Sequence, residues 1–269
     1  MYNLYNSDCL NVLPNLKDNS VDLIITDPPY ELDIHGGKGY TELAQRKLTK
    51  DKHLNFISFG FDYDFVFNEF LRVCKIPNFY IFCSNKQISK IMAWFESRKL
   101  STTLLVWNKT NPTPLCNGKH LSDLEFIVYV RGKGATFNND TPFDYKRKSY
   151  ISSVVSNKNR LHPTQKPIEL LERYIHLSSN ENDVILDPFM GSASTGIACL
   201  NTNRQFIGIE KSLNYFQLAK QRLSESIDIS LDFNLNIMWK YLNIVILTWQ
   251  IFIFMIFYYY NLFDRSYYG

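Results

Sequence analysis

Apolar residues run along this chain in two rhythms. Short, nearly unbroken runs, Val21–Thr26 (VDLIIT), Asn78–Cys83 (NFYIFC), Thr102–Trp107 (TTLLVW) and Leu124–Val130 (LEFIVYV), have the length of strands. Runs of this kind are expected where a strand is covered on both faces. Between them, apolar positions recur every three or four residues over Asp8–Leu16, Asp64–Cys74, Lys86–Lys99 and a helix begun near Pro167 in LHPTQKPIELLERYI; this is the period of a helix with one buried face. Tyr2–Tyr5 reads as a strand ahead of the first helix, so the chain opens β-α-β. Near the other end Asp183–Leu186 and Gln205–Ile209 are strands that flank a small-residue helix, Ser192–Leu200. Strands alternating with helices predict an α/β fold on a largely parallel sheet.

Two strand ends are unusual. VDLIIT delivers Asp27 and is stopped by Pro28 and Pro29, each of which fixes its own φ near about −65° and pushes the residue before it to extended geometry. Asp27, its carbonyl and the Tyr30 ring are therefore expected to be rigid, with acceptors facing outward; a strand followed by a proline-stiffened turn with an N-capping Asp is the plain alternative. The strand Asp183–Leu186 runs into DPFMGSASTG, Asp187–Gly196, where glycine and small residues let a ligand approach the N–H groups of a helix N-terminus. The next strand ends in Glu210, an acid placed as in sites that bind ribose hydroxyls. GxGxxG is absent and the turn holds only Gly191 and Gly196 with Ala193 between them, so a nucleoside cofactor smaller than a dinucleotide fits better. By contrast GGKG at Gly36–Gly39 lies in the polar stretch Glu31–Lys52 and lacks a GKS or GKT ending; it reads as a loop beside the site, not a phosphate cradle.

Composition narrows the setting. The 269 residues, 45% of them apolar, suit one main α/β domain. Five scattered cysteines with no CxxC pair, and no N-terminal signal segment, point to a reducing cytoplasm. Cys116 and His120 lack a second ligand pair, so no metal site is expected. A formal charge of +3 is too small to specify a polyanion partner. Its distribution says more: Arg131, Lys133, Lys146, Arg147, Lys148, Lys158 and Arg160 face only Asp140 and Asp144, with Phe137, Phe143, Tyr145 and Tyr150 interleaved. Such a segment suits phosphates and exposed bases, the alternative being a solvated basic loop. Beyond Ser226 the composition shifts, with no Ala, Pro or Glu from Ile229 to Gly269 and no charge between Tyr241 and Phe263. By length that stretch is a membrane-span candidate, but Asn243, Gln250 and Asn261 weaken it. An extension that adds nothing is favoured over membrane insertion or an extra packed helix.

DPPY at Asp27–Tyr30, HPTQKP at His162–Pro167 and DPFMGSAST at Asp187–Thr195, in that order, resemble the amino-group DNA methyltransferases that use S-adenosylmethionine, in their β permutation. The resemblance spans about Met1 to Ser226. It implies a Rossmann-like, seven-stranded, mostly parallel sheet of the class I S-adenosylmethionine-dependent methyltransferases with circularly permuted motif order. A target-recognition insertion would lie at about 111–160 and the tail 227–269 outside the domain. It further implies methyl transfer to N6 of an adenine flipped out of duplex DNA, with a restriction endonuclease as a further partner. Asp27 and the Pro28 carbonyl would accept the N6–H bonds, Pro29 would hold the turn, and Tyr30 would stack on the base. Asp187, Phe189, Gly191 and Ser192 would line the cofactor, Glu210 would take its ribose hydroxyls, Asp8 would lie near its adenine, and Thr164, Lys166 and Pro167 would close over its methionine end. Asp8 reads equally well as a helix cap, and Lys166 as a surface residue ahead of a helix. The acid of DPPY, where other members carry SPPY, favours adenine N6 over cytosine N4. An RNA amino-group methyltransferase sharing DPPY, and a nucleic-acid binder that has lost catalysis, stand as alternatives. One departure is Ala193, where the family usually has glycine.

Overall fold

The computed structural model describes residues 1–29, 62–112, 114, 118, 120–154, 165–227, 248–250, 252–253 and 255–256. Tyr30, the GGKG stretch, Cys116, His162, Pro163, Thr164 and most of the tail lie outside the described residues. The strands are β1 (Tyr2–Asn6), β2 (Leu23–Thr26), β3 (Asn78–Cys83), β4 (Ser101–Lys109), β5 (Leu124–Arg131), β6 (Ser149–Ser152), β7 (Val184–Asp187) and β8 (Gln205–Glu210). The helices are α1 (Cys9–Val12), α2 (Tyr63–Val73), α3 (Ile88–Glu96), α4 (Ile168–Ser178), α5 (Ser194–Asn201) and α6 (213–227).

All described strands join one sheet in the order β1-β8-β7-β2-β3-β5-β4-β6. Neighbours from β1 to β3 are parallel, β5 runs antiparallel to both β3 and β4, and β6 pairs in parallel with the end of β4. The sheet thus has eight described strands where seven were expected. The additional one, β6, covers four residues at an edge with alternate positions exposed, too short a period to stand out within a basic, aromatic segment. β5 lies inside the stretch 111–160, so part of that stretch is sheet framework.

Every residue of β2 and β3 is buried. Leu23, Ile25, Tyr80 and Phe82 face a core completed by Leu170 and Tyr174 of α4, Ala198 of α5 and Ala219 of α6. Ile24, Phe79 and Ile81 face the opposite core with Phe67 and Phe70 of α2 and Phe95 of α3. Each fully buried aliphatic or phenyl side chain contributes about 1.5–3 kcal/mol, so burial on both faces pins the strand register. Gly196 brings α5 close to the sheet: a Cβ there would lie 2.8 Å from the Phe206 ring.

The strand order sets the position of the site. From β2 the chain moves to β3 on one side, while β7 leads to β8 on the other, so the direction of winding switches between β2 and β7. Ligands of open α/β sheets bind beyond the carboxyl ends of the strands at such a switch point. Asp27 and Asp187 stand at those two ends. Met1–Leu223 form one compact unit and Ser224–Gly269 a second. In the second, Trp249, Phe252, Ile253, Met255 and Ile256 are at least half exposed. Among the described residues no helix is long and apolar enough to cross a membrane.

Candidate active site

At the tip of β2 the chain turns through Asp27, buried Pro28 and half-buried Pro29. Lys166 Nζ lies 2.5 Å from Asp27 Oδ2 and 2.5 Å from Glu125 Oε1, and Glu125 Oε2 is 2.8 Å from Lys109 Nζ. Lys166 is only 6% exposed, so it is not the surface residue that one reading of the sequence allowed. Its ammonium also lies 4.9 Å above the centre of the Phe82 ring. Asp27, Lys166, Glu125 and Lys109 therefore form a row of alternating charges across the top of the sheet. Burial alone would raise the Glu125 carboxyl, but Lys166 and Lys109 outweigh it and hold it at about 2. Burial likewise works against the Lys166 ammonium, and the two carboxylates reverse this and raise its pKa.

The second turn, after β7, is organised by Asp187. Its Oδ1 accepts from the Phe189 amide at 3.1 Å and its Oδ2 from Thr195 Oγ1 at 2.7 Å. Deep burial pushes this carboxyl up to about 7. Gly191 has φ 50° and donates its N–H to Glu210 Oε2 at 3.0 Å, while Glu210 Oε1 accepts from the Ser212 amide at 2.7 Å. Burial raises the Glu210 carboxyl as well. Ala193 is fully buried, with φ 57° and ψ 39°, in the left-handed region ahead of α5. A Cβ there costs roughly 1–2 kcal/mol, which is why glycine suits this position and why α5 starts at Ser194 and not at Ser192. Arg222 of α6 reaches in to donate to the Ser192 carbonyl at 2.9 Å and the Ser194 hydroxyl at 3.2 Å.

Thr26, Asp27, Lys166, Phe189, Gly191 and Ser192 line a single cavity between the two turns. Pro167 is buried and stands at the N-cap of α4, with φ −59° and ψ 134°. Asp8 fills the capping role that the sequence allowed: Oδ1 accepts from the Leu10 amide at 3.0 Å and Oδ2 pairs with Lys211 at 2.7 Å. Burial would raise its carboxyl, but Lys211 and the Leu10 amide hold it below the usual value. Tyr30 and Thr164 lie outside the described residues. Within the basic segment, Arg147 pairs with Asp144 at 2.7 Å and Arg131 donates to the Ala135 carbonyl, while Lys133, Phe143 and Lys148 are exposed. Sequence reasoning passed over Glu125, Lys109 and Arg222. For Glu125 a signal existed: it is the lone charge within the apolar run LEFIVYV. Among the described residues no cluster of side chains is arranged to hold a metal ion.

Carboxylates and a glycine turn at the switch point of this sheet define a class I methyltransferase architecture. Residues 21–221 match the DNA methylase family of N6/N4 type, and the chain belongs to that family. It is 35% identical over 239 residues to the Type II methyltransferase M.HpaI of Haemophilus parainfluenzae, covering 81% of this chain and 72% of that one. To the Type II methyltransferase M2.MboI of Moraxella bovis it is 29% identical over 241 residues, covering 83% and 88%. The crystal structure of the M1.HpyAVI–SAM complex is 32% identical and superposes with a TM-score of 0.60, covering 83% of this chain and all of that one. PvuII DNA methyltransferase, cytosine-N4-specific, shares the fold at 16% identity with a TM-score of 0.61. The chain is a DNA methyltransferase, and its cofactor is S-adenosylmethionine.

Proposed function

We propose that the chain methylates adenine at N6 in duplex DNA, after the base has been flipped from the helix. The observation that carries this reading is the Asp27 carboxylate, presented by the proline turn of β2 beside the cavity of the Gly191 turn. The exocyclic lone pair of adenine is delocalised into the ring. Acceptors in fixed positions draw both N6–H bonds, concentrate the lone pair on nitrogen and aim it. The Asp27 carboxylate and the Pro28 carbonyl are those acceptors, and they act by preorganised charge without abstracting a proton from the ground-state amine. Tyr30 returns roughly 1–3 kcal/mol by stacking, against the few kcal/mol that flipping costs.

The residues present fit the cofactor. The Gly191 turn lines the cavity at the head of α5, and Glu210 places a carboxylate where a ribose diol can donate to it. Phe189, Gly191 and Ser192 would hold the methionine and ribose portions, Asp187 would keep the turn closed, and Asp8 would lie toward the adenine. When bound, the cofactor supplies a methyl group on a sulfonium as the electrophile. Thr164, Lys166 and Pro167 complete that end of the site.

DNA contact is assigned to the exposed Lys133, Phe143 and Lys148 and to the rest of 111–160 outside β5. The tail 227–269 is assigned no part in methylation. The Type II names of the relatives support a restriction endonuclease as partner, working on the same DNA in the cytoplasm. The test is transfer of labelled methyl from S-adenosylmethionine to unmethylated duplex DNA by the wild type and by Asp27→Ala, with the product nucleoside identified. N6-methyladenine from the wild type alone supports the reading; N4-methylcytosine, or a product only on ribosomal RNA, overturns it.

A further inference from the structure

Glu125 is a costly residue for its place. It sits on β5 opposite Trp107 of β4, one residue from Phe126, which pairs with Cys83 of β3, and its side chain is about nine-tenths buried. A buried ion pair seldom stabilises a fold more than well-packed apolar side chains would, and the remainder of β5 up to Val130 is apolar. Stability alone therefore gives a weak reason for a carboxylate here.

Geometry supplies another. Lys166 stands at the end of a long flexible stem, with no secondary structure of its own, directly before Pro167 and α4. An ammonium bound to Asp27 alone is free to follow that carboxylate or to withdraw. With a second anchor at the start of β5, itself held by Lys109, Nζ is fixed between two carboxylates, each 2.5 Å away.

We propose that Glu125 is a positioning residue for methyl transfer: it fixes the Lys166 ammonium, and through it keeps the Asp27 carboxylate aimed at the target amino group. The proposal rests on the adenine-N6 reading above and adds to it a residue that touches neither base nor cofactor. The charged and titratable groups facing Lys166 are Asp27 from β2, Glu125 from β5 and Lys109 from β4. Cys83 of β3, Tyr174 of α4 and Asp187 of β7 stand behind them, coupled electrostatically to Asp27 or Glu125. Removing the Glu125 charge leaves burial opposed by one carboxylate in place of two, so Lys166 loses its proton at a lower pH. The alkaline limb of methyl transfer moves down with it.

The experiment is the pH profile of kcat for labelled-methyl transfer to duplex DNA by the full chain, with cofactor affinity measured by calorimetry. In Glu125→Gln, kcat is expected to fall by about tenfold or more at pH 9–10 relative to pH 7, measured against the wild-type ratio, with cofactor Kd within about threefold of wild type. Glu125→Asp, which restores the charge, should recover the wild-type profile. A Glu125→Gln profile parallel to wild type at every pH, or a loss explained wholly by cofactor affinity, overturns the proposal. If Glu125→Gln does not fold, the double variant Glu125→Met with Lys109→Met removes a whole ion pair and carries the same expectation. A wild-type alkaline limb in that variant overturns the proposal too. An inactive wild type, by contrast, would refute the parent reading and is seen in the same assay.

Discussion

The two aspartates at the switch point share almost everything that a sequence can show. Each stands at the carboxyl end of a parallel strand and is followed by proline: Asp27 comes just after β2 and Asp187 closes the adjacent β7. Their surroundings are opposite. Asp27 has a buried ammonium 2.5 Å from one oxygen. Asp187 accepts only from an amide and a hydroxyl in the contacts described above, and burial pushes it up to about 7. A carboxylate with a fixed counter-charge keeps its negative charge in a dry site and can act on a substrate. One held by neutral donors is closer to a structural tie, closing its own turn.

The largest effect should come from Asp27. Replacing it with alanine is expected to lower methyl transfer by about 10²–10³-fold, the usual result of removing one preorganised electrostatic group, with cofactor binding retained in calorimetry. Equal loss for Asp187→Ala without any fall in stability would erase the contrast. Lys166→Met tests the cause of the contrast directly. Without the cation, Asp27 faces Glu125 with no counter-charge between them, so methyl transfer at neutral pH should fall by about tenfold or more; an unchanged rate would mean that the ammonium does not hold Asp27 in place.

Asp187→Asn probes the other member of the pair through stability. A carboxyl with a folded pKa near 7 against an ordinary value of 3.8 is protonated more readily in the fold, so it lowers stability as pH rises from about 4 to 7, and the loss is complete above 7. An asparagine avoids this, with an upper bound of about 4 kcal/mol for three pH units at 1.36 kcal/mol each. Denaturation of the variant should show a gain at pH 8 that vanishes near pH 4. The smallest effect is expected at Ala193→Gly, which relieves the left-handed backbone at the head of α5. Its thermal midpoint should rise by an amount equivalent to about 1 kcal/mol, with activity unchanged; a fall would mean that the alanine methyl packs well enough to offset its backbone strain.

Much of this site lies in two contiguous motifs. Asp27 and Pro28 on one side, and Asp187, Phe189, Gly191 and Ser192 on the other, are recognisable because a turn is a local object made from neighbours in the chain. Ala193 was visible as a departure, and its left-handed backbone angles show why glycine suits that position. Asp8 and Lys166 each carried two readings. Asp8 proved to be the cap of α1, whereas Lys166 proved to be buried, against its surface reading. The eighth strand and the Arg222 contacts had no local signature at all.

Chain order and side-chain chemistry were enough to establish the α/β class, the two proline-bounded acids and the family to which they belong, since strands, turns and motifs are written within about ten consecutive residues. The charge state of each acid was not written there. It depends on which side chain from another element arrives within hydrogen-bonding distance once water has been excluded. A lysine ahead of α4 and a glutamate on β5 meet Asp27 only because the sheet order brings β5 and β2 to either side of β3. In a dry interior, one ammonium at 2.5 Å makes the difference between a carboxylate that can serve chemistry and one that holds a turn.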